Sequence, residues 1–383
     1  MNVALSFPGC HRRGGVERVV YECARFLSAR NHRVSVVSQD FESIPGVRHL
    51  PVPGSRSPSL LSSMAYAHQA PRRIRNAGFD VLATHGTVCP RWGVHWVQSV
   101  HRAWLERAAL MRPPGSLARL KQRLNPAHLF LLHLEEKHFR NRAYRRLIAT
   151  TPRVRDDLLR LYGVPPEDVE ILPNGFSPSE FNPERRAHRR ELMRRRLGLL
   201  PNETVLLFAA NELARKGFPT LLSALRALRS HRFRVLVTGR PCVREIRSAA
   251  RKMGVEDFVL ACGSTNEIAD YHAAADLFVL PTQYEAFSLA ILEALASGLP
   301  VITSSVPGAR DAIRPGVNGF LLQNPLDGKE LASVLRNLCP AQIASLSAQA
   351  PRTVESHQWP RLLLRYEAIL AQAAQSSAPT RTP

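Results

Sequence analysis

The chain has 383 residues, 45% of them hydrophobic and 22% charged, with 52 Lys and Arg against 31 Asp and Glu, a formal charge of +21. That length exceeds one ordinary core and predicts two domains, and the composition excludes disordered, fibrous and disulfide-scaffold proteins. The charge implies attraction to something anionic: nucleic acid, an acidic membrane surface or phosphorylated substrates.

Val3–Phe7 predicts a strand, Gly9–Arg18 a turn containing Gly14-Gly15, Val19–Ala29 a helix and Arg33–Ser38 a second strand. Strand, glycine turn, helix, strand is a βαβ unit, the building block of a parallel sheet that binds ligands at its strand ends. The pair Gly14-Gly15 would let the backbone pass close to a ligand, or merely make a tight turn. It is not G-x-G-x-x-G, so no dinucleotide fingerprint is read. Pro51–Ser63 reads as a surface loop. Asp80–Thr84 and Val94–Val100 read as buried strands ending at His85 and His101, imidazoles placed either to hydrogen-bond a substrate or to sit in the core. From Arg102 to Arg160 there are fourteen Lys and Arg against five Asp and Glu. Leucines at helical spacing beside these cations, in Leu117–Leu124 and Phe139–Leu147, suit helices that lie on an anionic membrane or pack through their leucines with a solvated face.

Leu147–Thr150 predicts a strand, Val154–Tyr162 a helix and Val169–Leu172 a strand, with a domain junction near Pro173. The Arg-rich helix Glu184–Leu197 reads as solvated surface. A new βα series follows: strands Thr204–Ala210, Phe233–Thr238 and Phe258–Ala261, with helices Thr220–Leu228, Arg244–Met253 and Glu267–Ala274. Arg215-Lys216, at the mouth of the first of these strands, suits neutralisation of a diphosphate without a metal. The run Ala274–Leu280 predicts a strand, a short loop carries Glu285, and Ser288–Ser297 predicts a helix containing Glu293. Free N–H groups near Phe287, Ser288 and Leu289 make a helix start that attracts phosphate. Strands Val301–Thr303 and Phe320–Leu322 and a last helix, Leu362–Ala374, complete the series before a polar tail. Cysteines 10, 23, 89, 242, 262 and 339 form no C-x-x-C pair and read as buried thiols of a reducing compartment. Met1–Phe7 is too short for a signal peptide, and no run reaches the roughly 18 apolar residues of a membrane span, so a cytoplasmic location is expected.

In this order and placement the motifs resemble the retaining nucleotide-sugar glycosyltransferases of the GT-B fold, in the family-four group (glycosyl transferases group 1). The matching segments are Gly14–Glu17, His101, Pro173-Asn174-Gly175, Arg215-Lys216-Gly217, Glu285 and Glu293 in E-x7-E spacing, Gly308 and Gly316–Phe320. Leu213–Gly217 and the Val94-His95-Trp96 region also resemble the lipopolysaccharide-core glucosyltransferases. The resemblance implies an α/β chain of two Rossmann-like parallel-sheet domains facing a central cleft. Residues 1–173 would form an acceptor-binding domain completed by the C-terminal helix at about 359–375. Residues 174–358 would bind the nucleotide-sugar, and 376–383 would be a disordered tail. It further implies that Glu285 contacts the donor sugar, Glu293 holds the ribose, and Arg215 and Lys216 bind the diphosphate. The backbone at Phe287, Ser288 and Leu289, together with Asn174, would also bind the donor. Gly14-Gly15 would cover the diphosphate, and His101 would approach the sugar. Three departures stand out: Ala286 and Ser288 replace frequent glycines, Ala210-Asn211 replaces a frequent Gly-Arg, and Thr238–Pro241 replaces Gly-x-Gly-Pro.

The implied activity is a retaining hexosyl transfer from a nucleotide-sugar, UDP before GDP, to a lipopolysaccharide, glycolipid or other cell-envelope glycan. No further cofactor is expected, and no metal, since no Asp-x-Asp stands where one would bridge the phosphates. Peripheral contact with the anionic inner face of the cytoplasmic membrane fits the basic helices. A catalytically silent GT-B partner subunit, a nucleotide-sugar epimerase and a phosphorylase are alternatives on the same fold. A basic nucleic-acid-binding protein is another, but no RNA-recognition, helix-turn-helix or zinc motif accompanies the charge, so no nucleic-acid partner is expected.

Overall fold

The computed structural model describes residues 1–54, 60–75, 77–86, 93–110, 112, 115–229 and 232–375. Cys89 and the tail after Gln375 lie outside them. Two compact units divide the chain: Met1–Asn174 with the segment from Pro360 onward, and Gly175–Trp359.

The first unit runs β1 (Asn2–Ser6), β2 (Gly9–Cys10), α1 (Val16–Ala29), β3 (Arg33–Ser38), β4 (Asp40–Phe41), β5 (Val47–Pro51), α2 (Leu60–Ile74), β6 (Val81–His85) and β7 (Val94–Val97). It continues with α3 (His101–Leu110), α4 (Leu117–Arg123), α5 (Pro126–Glu135), a π-helical turn at Glu136–Arg140, β8 (Arg146–Ala149), α6 (Pro152–Tyr162) and β9 (Val169–Ile171). Seven strands form a parallel sheet in the order β5-β3-β1-β6-β7-β8-β9. The interior strand β1 is apolar and buried through Val3, Ala4 and Leu5, as expected of a sheet covered on both faces.

The second unit runs α7 (Pro183–Arg196), β10 (Thr204–Ala209), α8 (Phe218–Leu228), β11 (Phe233–Thr238), α9 (Val243–Lys252), β12 (Val259–Gly263), α10 (Ile268–Ala274), β13 (Leu277–Leu280), α11 (Leu289–Ala296), β14 (Val301–Ser304), β15 (Gly319–Leu322), α12 (Gly328–Asn337) and α13 (Pro340–Gln349). Its six strands are parallel in the order β12-β11-β10-β13-β14-β15, around a core of Val, Leu, Ile and Phe, with the edge strand β12 only partly buried against it. The last helix, α14 (Trp359–Gln375), packs in the first unit, where Glu367 pairs with Arg30 at 2.7 Å and His32 at 2.6 Å.

Several expectations are corrected. The loop expected over Pro51–Ser63 is shorter: Pro51 closes β5 and α2 begins at Leu60, with 55–59 outside the described residues. The strand expected over Val94–Val100 stops at Val97, and His101 opens a helix instead of closing a strand. The helix expected over Phe139–Leu147 ends in the π-turn; Tyr144 then turns inward, donating to Asp168 at 3.0 Å, and β8 begins. Cys10 and Cys23 are buried, but Cys242 and Cys339 are exposed.

The largest correction concerns α7, whose outer face is solvated through Arg195 and Arg196 but whose other five arginines bind groups of neighbouring elements. Arg185 and Arg189 bind Asp270 at 3.0 and 2.6 Å, and Asp270 is nearly inaccessible. Arg190 and Arg194 bind Asp276, whose Oδ2 also accepts the Val205 N–H at 2.7 Å. Arg186, Arg190 and Arg194 donate to the carbonyls of Ala273, Ala274 and Ala275. Those are groups that the end of α10 leaves without intrahelical partners, and the helix dipole favours cations there. These arginines therefore connect α7 to α10 and β10 while keeping part of their surface in water.

Candidate functional site

In the second unit, the loops after β10, β13 and β14 converge at the carboxyl edge of the sheet, where open α/β folds bind ligands. Two glycines permit the approach. Gly217 has φ +86°, and a Cβ there would lie 2.0 Å from the Pro281 carbonyl oxygen. Gly308 has φ +82°, and a Cβ would lie 2.4 and 2.5 Å from the carbonyl oxygens of Glu285 and Ala286. Both positions exclude a side chain on conformation and space together.

On this frame Arg215 is stitched to the neighbouring loop. Its carbonyl accepts the Gln283 N–H at 2.9 Å, and its Nη1 donates to the Tyr284 carbonyl at 2.9 Å. Glu212 grips the other side of the guanidinium through Nε and Nη2, both at 2.9 Å. These hydrogen bonds hold the Glu212 carboxyl below its ordinary range against the opposing effect of burial. Burial likewise works against the Arg215 charge, but the Glu212 bonds and the field of Glu285 outweigh it and raise the guanidinium pKa. Lys216 Nζ forms an ion pair with Glu285, both side chains being largely buried. Three of the five N–H groups of Arg215 are used in these bonds, as is one of the three on Lys216, so two remain on each. The site thus holds two ordered cations, each partly neutralised by a carboxylate.

Beside them α11 begins. Ser288 caps it, its Oγ accepting the Ile291 N–H at 3.4 Å, and helix geometry leaves the Leu289 and Ala290 N–H groups without intrahelical partners. Phe287 leads in, its ring 6.2 Å from that of His357. Glu293 lies one turn along and is buried. The downstream turn is structural: buried Asn318 accepts from the Arg314 N–H and donates to Ala312 and Thr353.

The other expected residues lie in the first unit. Gly14 and Gly15 precede α1, but neither adopts a positive φ, so the turn geometry does not demand glycine. A Cβ on Gly15 would meet nothing within 4 Å, whereas one on Gly14 would meet the Glu17 carboxylate. His101 is placed by a residue the sequence did not reveal. Buried Glu135, 34 positions away, accepts the N–H groups of His101 and Arg102 and the Tyr162 hydroxyl, making a carboxylate cap for α3. The His101 ring stacks on Trp104, and its Nε2 is buried with no hydrogen-bond partner among the described residues. Burial pushes its pKa down to about 4, aided by His128, so the ring is neutral near pH 7. Asn174 donates to Gln98 at 2.8 Å. His85, the other strand-end histidine, is a core residue between Trp96 and Tyr366, pushed down to about 3 by burial.

Two family models match in chain order: Glycosyltransferase Family 4 over residues 13–180 and Glycosyl transferases group 1 over 203–340. The chain is a GT-B glycosyltransferase. It is 29% identical over 353 residues to the D-inositol 3-phosphate glycosyltransferase of Xylanimonas cellulosilytica, covering 83% of this chain and 82% of that one. It is 27% identical over 328 residues to the lipopolysaccharide glucosyltransferase WaaG of Escherichia coli, covering 84% and 85%. The crystal structure of WaaG, a glycosyltransferase involved in lipopolysaccharide biosynthesis, superposes with a TM-score of 0.83 at 24% identity, over 96% of this chain and 99% of that one. Anabaena Alr3699/HepE in complex with UDP and glucose gives 0.72 at 17%, over 97% and 99%. The shared GT-B fold is two Rossmann-like halves, which are the two parallel-sheet units described above.

Proposed function

We propose that this glycosyltransferase moves a hexose from a UDP-sugar to a lipopolysaccharide-core or related envelope glycolipid, with retention of anomeric configuration and without a metal ion. The observation that carries this reading is the ordered pair of cations, Arg215 and Lys216, pinned beside the uncapped N–H groups of α11. When the bond from sugar to phosphate breaks, negative charge grows on the leaving diphosphate. Four remaining cationic N–H donors and a helix start, fixed in advance, stabilise such charge at little reorganisation cost. Arg215 and Lys216 supply the two positive charges that a divalent ion would otherwise bring. Glu285, held by Lys216, is suited to orient a sugar hydroxyl, and buried Glu293 to accept from the ribose. In a retaining transfer the leaving phosphate takes the acceptor proton from the same face, so Glu285 orients and is not a nucleophile. The UDP preference takes support from the HepE complex with UDP and glucose, and the acceptor class from the likeness to WaaG.

The basic first-unit helices support action at an anionic cytoplasmic membrane face. Leu117, Leu120 and Leu124 are exposed by 75%, 51% and 66% on and beside α4, flanked by Lys121 and Arg123. No helix among the described residues is long and apolar enough to cross a membrane. Incubation of purified protein with UDP-glucose and core-truncated lipopolysaccharide, with and without chelator, tests the transfer. NMR of the product should show the donor's anomeric configuration; an inverted centre overturns the proposed mechanism.

A further inference from the structure

Three adjacent parallel strands of the first unit, β7, β8 and β9, each lead into a buried, uncharged polar side chain. Gln98 follows β7 directly, Thr150 follows β8 directly, and Asn174 lies three residues beyond β9; they are 8%, 1% and 3% exposed. The Asn174–Gln98 bond joins the ends of strands that are not neighbours, so it spans the end of β8, from which Thr150 emerges. That single bond leaves Gln98 Nε2, Asn174 Oδ1 and Thr150 Oγ1 buried with no hydrogen-bond partner among the described residues. Exchanging O and N in both amides changes nothing, since one amide donor and one amide acceptor remain unfilled either way. Buried polar groups are almost always paired, and leaving one unpaired destabilises the fold. Three at one edge, none with a partner among the described residues, leave hydrogen-bonding capacity that ordered water or a bound ligand can fill.

The chemistry of such a ligand follows from the set. It offers a donor, an acceptor and a hydroxyl capable of either, with no formal charge among them. Phosphate would gain no cation from these side chains, and an apolar group would leave all three unsatisfied. A sugar hydroxyl both donates and accepts, and matches. We propose that Gln98, Thr150 and Asn174 form a hydroxyl-reading subsite that binds the ring of a substrate sugar. His101, three residues beyond Gln98 and with its own unpartnered Nε2, extends the same neutral edge. The inference rests on the glycosyl-transfer reading and adds residues that the motif resemblance, apart from Asn174, does not include.

Thr150→Val is the decisive variant, because it keeps the shape and deletes only the unpaired hydroxyl. It should fold with an unchanged or raised Tm while kcat/KM falls about 5–10-fold, the loss of one hydrogen bond. Gln98→Met gives a second reading should Thr150→Val express poorly. Two arms separate the sources of the sugar. If the donor ring is read, the calorimetric affinity gap between UDP-glucose and UDP narrows and the KM for core-truncated lipopolysaccharide stays fixed. If the acceptor is read, that KM rises and the gap is kept. Wild-type turnover with both variants equally active overturns the inference, as does a lowered Tm with unaltered kinetics, which would mark the hydroxyl as structural. A wild-type protein with neither affinity for UDP-glucose nor transfer would instead refute the donor reading on which the inference rests.

Discussion

Replacing Lys216 by Ala tests the diphosphate site most directly, and its two consequences have separate physical origins. In the donor-free protein Glu285 is 10% exposed and paired with Lys216, itself 15% exposed. Removing the ammonium strands that carboxylate, at about 1–3 kcal/mol. In a domain the size of the second unit this lowers Tm by about 2–4 °C for each kcal/mol. In the proposed transfer the same ammonium would be one of two fixed positive charges facing the leaving group. Deleting one preorganised donor of this kind costs about 10²–10³-fold in kcat, or about 2.7–4 kcal/mol. The double variant Lys216→Ala with Glu285→Gln separates the terms. It removes the stranded charge, so Tm should recover while kcat stays low. Initial rates of UDP release and a thermal melt on each protein suffice. Turnover of Lys216→Ala within about threefold of wild type would refute the phosphate role, as would recovery of kcat in the double variant, which would reduce Lys216 to a counter-ion for Glu285.

Three further outcomes follow from the geometry. Burial holds His85 and His138 at about 3 and His101 at about 4, all below the ordinary 6.5. The unfolded chain therefore binds protons first on acidification, so stability present above pH 6.5 is lost progressively below it, by up to about 1.4 kcal/mol per pH unit for each ring. Glu135, raised by its own burial, offsets part of this at the acid end. Urea midpoints at pH 7 and pH 5 check it, and a midpoint that does not fall refutes it. Asp270→Ala removes a buried carboxylate that ties Arg185 and Arg189 of α7 to α10; the two guanidiniums, 42% and 33% exposed, can turn to water, so the denaturation midpoint should fall only modestly, and an unchanged midpoint would refute the connecting role. Gly217→Ala drives a methyl into the Pro281 carbonyl at positive φ; it should weaken UDP binding and lower Tm, both measurable by thermal shift with and without UDP.

The sequence made the alternation of strands and helices legible, because buried parallel strands are short continuous apolar runs and caps such as Thr151 and Ser288 mark helix starts locally. The candidate donor residues were legible for the same reason: Arg215, Lys216, Glu285 and Ser288 sit within a few residues of a strand end. What determines their state was not. Glu212 could have been suspected three positions before Arg215, but the Lys216–Glu285 pair joins residues 69 apart, and the cap on His101 comes from 34 positions away. Periodicity reports which face of an element is apolar, and says nothing about which distant carboxylate meets a given cation. The end of β7 was misread for that reason, since Val94–Val100 is uniformly suited to a strand until Glu135 captures the next two N–H groups. Gln98 and Thr150 carried no signal at all, because a neutral polar residue after a strand is ordinary in sequence and becomes unusual only when its burial is known.

The same limit governs the charge. A formal +21 suggests a protein coated in positive potential, yet five of the arginines of α7 are turned to Asp270, Asp276 and the carbonyl end of α10, where they neutralise interior groups. Arg215 and Lys216 are likewise matched by Glu212 and Glu285. The cations left to act on a partner are thus concentrated elsewhere, and α4 is one such place, where Lys121 and Arg123 stand beside three exposed leucines. Charge there attracts an anionic surface over about a Debye length, while the leucines gain only on contact with something apolar. Nucleic acid would use the first and leave the leucines in water, whereas an anionic bilayer would use both, which is why the exposed leucines, more than the net charge, favour the proposed membrane over nucleic acid as the partner of this basic helix.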